Sequence, residues 1–101
     1  MAAFDLHRIA ETAGSGLVVD VQSDLLDPFG TRVVVPLLAL AAAPDAPRRL
    51  NPVIEVAGTP LILAAQLLAA VPRAALGPPV GSLAHERDRI RDALDMALLG
   101  F

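Results

Sequence analysis

Three acids, Asp20, Asp24 and Asp27, fall close together and are followed by Arg32. Carboxylates at such spacing are the raw material for general acid–base work or for holding a cation. Each has a plainer reading. Asp20 lies in Leu17-Val18-Val19-Asp20-Val21-Gln22, where it is expected to point outward from a strand, while Asp24 and Asp27 belong to a turn, which favours Asp. His85, at the third position of a helix opened by Ser82, is expected to face solvent and not to act as a general base. No phosphate-binding glycine loop, no paired metal ligands and no Ser or Cys nucleophile beside a His is present. With no cysteine and two widely separated histidines, neither a disulfide framework nor a zinc site is expected. The expectation is a chain with no catalytic residue, metal or cofactor.

The helix that carries His85 runs from Ser82-Leu83-Ala84-His85-Glu86 to Met96-Ala97-Leu98-Leu99-Gly100-Phe101. At about 100° per residue, Leu83, Ile90, Leu94, Ala97, Leu98 and Phe101 share one stripe that reads as the core face. His85, Asp88, Asp92 and Asp95 lie opposite, and Met96 and Leu99 fall among them, where a helix packed on one core has no use for them. An apolar tip of this kind reads as a dimer seam or the tip of a binding site.

Before the helix, strands are predicted over Phe4–Ile9, Leu17–Gln22 and Arg32–Val35, the last stopped or pushed to an edge by Pro36. Glu11 to Gly16 reads as a turn, Ala39 to Leu50 as a loop, and Val53–Val56 with Leu61–Leu63 as a hairpin across Ala57-Gly58-Thr59-Pro60. Leu67 to Ala75 leans both ways, and Gly77-Pro78-Pro79-Val80-Gly81 reads as a breaker. Ser23 to Gly30 is a connection that carries Leu25, Leu26 and Phe29, which either fold back over the core or face a partner. The pattern predicts a small, mostly antiparallel barrel or sandwich with one terminal helix.

The chain has 101 residues, which suits one domain, and its 54% apolar content with only 3% aromatic residues implies a core of Val, Leu, Ile and Ala. That apolar excess favours a homo-oligomer, with one face closed by a copy of itself. A net charge of −3, with Arg48-Arg49 the only adjacent basic pair and Arg87, Arg89 and Arg91 interleaved with acids, argues against the clustered basic footprint of a direct nucleic-acid binder. The apolar runs Val33–Ala43 and Leu61–Val71 are shorter than the roughly 20 residues of a membrane span, and the first residues lack a signal-peptide pattern, so a cytoplasmic protein is expected.

Val19-Asp20-Val21-Gln22-Ser23-Asp24-Leu25-Leu26, Gly30-Thr31-Arg32 leading into Val34-Val35-Pro36-Leu37, Leu50-Asn51-Pro52-Val53, Val71-Pro72, Leu83-Ala84-His85 and the Gly100-Phe101 end together resemble the CcdB family of bacterial toxins. The resemblance spans residues 1–101 as a single toxin domain. It implies an SH3-like barrel of antiparallel sheet with a C-terminal helix, assembled as a homodimer. It implies a partner, the DNA gyrase A subunit, whose cleavage complex with DNA the toxin traps. It also implies a cognate antitoxin with a disordered tail that neutralises the toxin, with operator DNA reached only through that antitoxin. The gyrase-contacting positions fall on Leu25, Leu26, Asp95, Leu98, Leu99, Gly100 and Phe101. A poison of this kind acts by differential affinity for one state of its target, so the resemblance implies no enzyme. At two positions the chain departs from the family pattern, with Leu99 in place of Trp and Asp95 in place of Asn; loss of an aromatic anchor commonly costs about 2 kcal/mol or more at an interface.

Two other functions compete. One is a decoy or regulator that keeps antitoxin binding without gyrase poisoning. The other is an mRNA endoribonuclease, which needs a base and a phosphate-stabilising cation in one groove. Arg32 with Asp24 or His85 is the only set available for it.

Overall fold

The computed structural model describes residues 2–9, 15–26 and 29–100. Within them the chain forms β1 (Asp5–Arg8), β2 (Leu17–Asp20), β3 (Thr31–Ala39), β4 (Val53–Val56), β5 (Thr59–Leu63), β6 (Ala69–Pro72), β7 (Pro79–Ser82) and α1 (Arg87–Leu99), joined by short 3₁₀ turns. The strands pair antiparallel in the order β4-β5-β3-β2-β1-β7, with β6 added to β3. The expected mostly antiparallel sheet with a C-terminal helix is therefore what the chain adopts, the sheet curling into a half-barrel. Most of the expected turn at Glu11 to Gly16, together with Asp27 and Phe101, lies outside the described residues.

Period-two alternation explains how the sheet fills both its faces. Leu6, Val19, Val35, Leu37, Ile54 and Leu63 point to one side, where Leu83, Ile90 and Ala93 close the core. Their neighbours in sequence point the other way, and Val18 and Val34 join Leu76 in a second, smaller cluster. His7 is buried, and its Nδ1 lies 2.8 Å from the Gly77 carbonyl. A carbonyl only accepts, so Nδ1 carries the hydrogen.

β3 corrects the reading of Pro36. The strand passes straight through the proline and is central, pairing with β2 on one side and with β5 and β6 in succession on the other. The Pro36 carbonyl accepts from Ala64 N–H at 3.0 Å, so the ring nitrogen faces that same side. There the partner strand has left β5 and detours through the 3₁₀ turn Ala65–Leu67 before rejoining as β6. The absent N–H thus falls at the changeover between partners, where no ladder acceptor awaits it.

The breaker expected at Gly77–Gly81 also needs correction. Pro79–Ser82 is a rim strand paired with β1, irregular between Leu6 and His7, a place where proline is tolerated. Leu67–Ala75 resolves into the end of one 3₁₀ turn, strand β6 and a second turn at Arg73–Ala75. In the β4–β5 hairpin, Ala57 and Gly58 both have positive φ, 52° and 82°, which makes a two-residue turn tighter than the expected one.

The helix begins later than expected. Ser82 Oγ accepts from Ala84 N–H at 3.2 Å and opens a 3₁₀ turn at Ala84–Glu86, from which α1 continues. Its buried stripe runs through Leu83, Ile90 and Ala93 and fades to half-buried Leu94 and Ala97. Leu98, expected in the core, is exposed because the apolar cluster beneath the helix ends with Leu94 and Ala97. Arg89 donates to the Val53 carbonyl at 2.8 Å, and Arg49 forks onto Asp92 at 3.2 Å, tying the helix to the entrance of β4.

Candidate functional site: an exposed apolar loop and helix tip

Asp20, expected to point toward solvent, lies inside. Asp20 and Arg32 stand on the second face of the sheet, on neighbouring strands, and both are fully enclosed. Asp20 Oδ2 accepts from Arg32 Nε at 2.8 Å and Oδ1 accepts from Gln22 N–H at 3.0 Å. Arg32 Nη2 donates to the Gln22 carbonyl at 3.3 Å and lies 3.9 Å from Asp24 Oδ1. Asp20 therefore does not point outward. A signal for this was present: alternation that sends Val19 and Val21 one way puts Asp20 with Val18, and a face shared by Val is a closed face.

Gln22 extends this network into the loop. Its side-chain Nε2 donates to the Leu26 carbonyl at 3.3 Å and the Thr31 carbonyl at 3.1 Å, while Oε1 accepts from Val33 N–H at 3.1 Å. Asp24 Oδ1 accepts from Ala3 N–H at 2.8 Å and opens the 3₁₀ turn Asp24–Leu26. The loop is thus held from beneath by polar groups, and its apolar side chains are turned out. Leu25 is 89% exposed, Leu26 45% and Phe29 61%, and on the last turn of α1 Leu98 is 65% and Leu99 63% exposed. Leu25 and Phe29 therefore do not fold back over the core, while Leu26 is partly covered. A depression of about 210 Å³, lined by Gln22, Leu26, Phe29 and Thr31, opens beside the turn.

The expected site residues fall into two groups on separate supports. Leu25 and Leu26 ride the loop braced by β2 and β3, and Asp95, Leu98, Leu99 and Gly100 are exposed along the end of α1. Gly100 ends the helix in the left-handed region, φ 81°, with its N–H donating to the Met96 carbonyl at 3.1 Å. Phe101 lies outside the described residues. Phe29 and Gln22 were absent from the expected set. His85 is exposed at the start of the helix, and among the described residues no cluster of ligating side chains could hold a metal. Nor is any helix among them long and apolar enough to cross a membrane.

The model of the CcdB protein family matches residues 3–100. The chain belongs to the CcdB family. As a member, it is the toxin of a toxin–antitoxin pair. Solved structures share the fold at low identity. An endoribonuclease in complex with its cognate antitoxin from a mycobacterial species aligns with a TM-score of 0.78 at 16% identity, covering 97% of this chain and 94% of that one. An endoribonuclease from a mycobacterial species aligns at 0.77 and 15% identity, covering 97% and 90%. The Mycobacterium tuberculosis toxin MazF-mt6 aligns at 0.71 and 16% identity, covering 92% and 94%.

These neighbours overturn one expectation. A CcdB-like chain was expected to be no enzyme, yet solved chains of this same fold are endoribonucleases. The fold is one that carries catalysis, and the lack of a motif recognisable in sequence does not argue against it. The reason is physical. Neighbouring strands bring side chains together without a contiguous motif, as β2 and β3 do here for Asp20 and Arg32.

Proposed function

We propose that this toxin acts by docking on the DNA gyrase A subunit through the exposed loop and helix tip, trapping the gyrase–DNA cleavage complex. The observation that carries the reading is the outward placement of Leu25, Leu26, Leu98 and Leu99 on rigidly supported elements. Large apolar side chains held in water contribute about 1.5–3 kcal/mol each when a partner buries them. Asp95, exposed one turn before Leu99, supplies a charge for a cation on the target. In this reading the chain is one toxin domain that works in the cytoplasm as a homodimer. A cognate antitoxin neutralises it, a pairing supported by family membership and by the antitoxin complex of a structural neighbour.

A second reading, RNA cleavage, is favoured by the fold shared with endoribonucleases, although Arg32, the cation expected for it, is fully enclosed against Asp20. One experiment separates the two. The purified chain is mixed with gyrase and plasmid DNA, and separately with single-stranded RNA. Trapped double-strand breaks that vanish in Leu25→Asp and Leu98→Asp support docking on gyrase; each substitution should weaken binding by about 2 kcal/mol or more, roughly thirtyfold. RNA cleavage lost in a folded Arg32→Ala variant, with no trapped breaks, establishes the second reading instead.

A further inference from the structure

On the loop that follows β2, Leu25 is 89% and Phe29 61% exposed, so packing on their own subunit does little to hold these side chains in place. We infer that Gln22 is the positioning residue of this loop, and that it pre-orders Leu25 and Leu26 for the partner; the partner half of this inference rests on the docking reading above. Gln22 is almost completely buried, yet every polar atom of its side chain is used. One Nε2 group reaches the Leu26 carbonyl on the near side of the loop and the Thr31 carbonyl on the far side, so a single side chain bridges both ends. Oε1 fixes that bridge to β3 through Val33 N–H. The backbone of Gln22 is itself locked, its N–H on Asp20 Oδ1 and its carbonyl on Arg32 Nη2. The buried ion pair thus acts on the loop through Gln22.

A glutamine does this where other residues fail. The bridge needs two donors and one acceptor at the end of a side chain long enough to reach both carbonyls. Glutamate keeps the acceptor toward Val33 and loses both donors; methionine keeps the length and loses all three bonds. Without the bridge, the ends of the loop stay anchored by Ala3 N–H on Asp24 Oδ1, 2.8 Å, and Arg73 N–H on the Gly30 carbonyl, 3.0 Å, but Leu26 and Phe29 are left with the local bonds Leu26 N–H to Ser23 O, 3.0 Å, and Phe29 N–H to Leu26 O, 3.1 Å. A loop held by such short-range bonds samples open forms, and a partner must then order it on binding.

The test compares Gln22→Glu and Gln22→Met with Leu25→Asp, by amide hydrogen exchange and by binding to purified gyrase A subunit. Exchange at Leu26 and Phe29 should rise about tenfold or more in both Gln22 variants, with Val35 and Ile62 amides unmoved; a role in overall folding would move all four together. Affinity for the gyrase A subunit should fall about tenfold, chiefly through slower association. Unchanged exchange at Leu26 and Phe29, or a parallel rise at Val35 and Ile62, overturns the inference. So does full binding by Gln22 variants where Leu25→Asp binds poorly. If Leu25→Asp also binds normally, the docking reading fails and the exchange data still decide whether Gln22 orders the loop. Should neither variant fold, the wild-type chain answers: slow exchange of the Gln22 side-chain amide protons supports the bridge, and exchange as fast as a solvated amide refutes it.

Discussion

Replacing Asp20 by alanine removes the carboxylate that faces Arg32 at 2.8 Å. At an effective dielectric of about 20, unit charges at that separation attract by roughly 6 kcal/mol, most of it offset by the cost of taking both groups out of water. The decisive quantity is what the substitution leaves behind. Both side chains are fully enclosed, so the variant takes the nearest carboxylate from a buried guanidinium, a change that typically costs about 3–5 kcal/mol. The structure argues for the lower end. Arg32 Nη2 keeps the Gln22 carbonyl at 3.3 Å, and Asp24, largely exposed, remains 3.9 Å away as a screened counter-charge. A loss of about 3 kcal/mol follows, which is a large share of the roughly 5–15 kcal/mol that holds a small domain together. Urea unfolding should show it as a lower midpoint at unchanged slope, and the thermal midpoint should fall by about 12 °C or more. Asp20→Ala combined with Arg32→Met should recover much of the loss, because no charge is then stranded. A single variant within about 1 kcal/mol of wild type, or a double variant no more stable than Asp20→Ala, would refute the reasoning.

Ile90→Ala should cost about 2–5 kcal/mol in the same unfolding assay, since Ile90 is the fully buried centre of the helix stripe. Ala57→Asn should stabilise the chain by about 0.5–1 kcal/mol, because Ala57 holds φ 52°, a conformation that asparagine tolerates better. Gly100→Ala, with φ 81° and open space around the added methyl, should cost about 1 kcal/mol locally; faster amide exchange confined to the last turn of α1 is the expected readout. Leu99→Trp should tighten binding to the gyrase A subunit in a titration, as an aromatic anchor restores area and a cation–π contact.

The fold class and the helix were legible because they depend on local pattern. Val-rich alternation marked β2 and β3, and Leu83 with Ile90 marked the buried side of α1. The exposed apolar tip was legible for the same reason, since Leu99 stood among acids at helical spacing. What escaped notice depends on partners distant in the chain. Pro36 reads as a strand stop until the changeover from β5 to β6 is known, and Pro79 as a breaker until β1 lies beside it. Asp20 reads as a surface residue because its counter-charge, Arg32, arrives from the next strand. Gln22 carries no sequence signature at all, since its role is set by carbonyls that only the folded loop presents.

Among the described residues β6 pairs with β3 alone, and its other side is shaped by Pro72. Arg73 N–H turns inward to the Gly30 carbonyl, so the nitrogen of Pro72 looks outward, where a joining strand would seek a donor. A stray chain laid along this rim finds a gap in the ladder and cannot propagate the sheet. In a molecule dense in aliphatic side chains, edge-on sheet extension is thereby disfavoured along this rim.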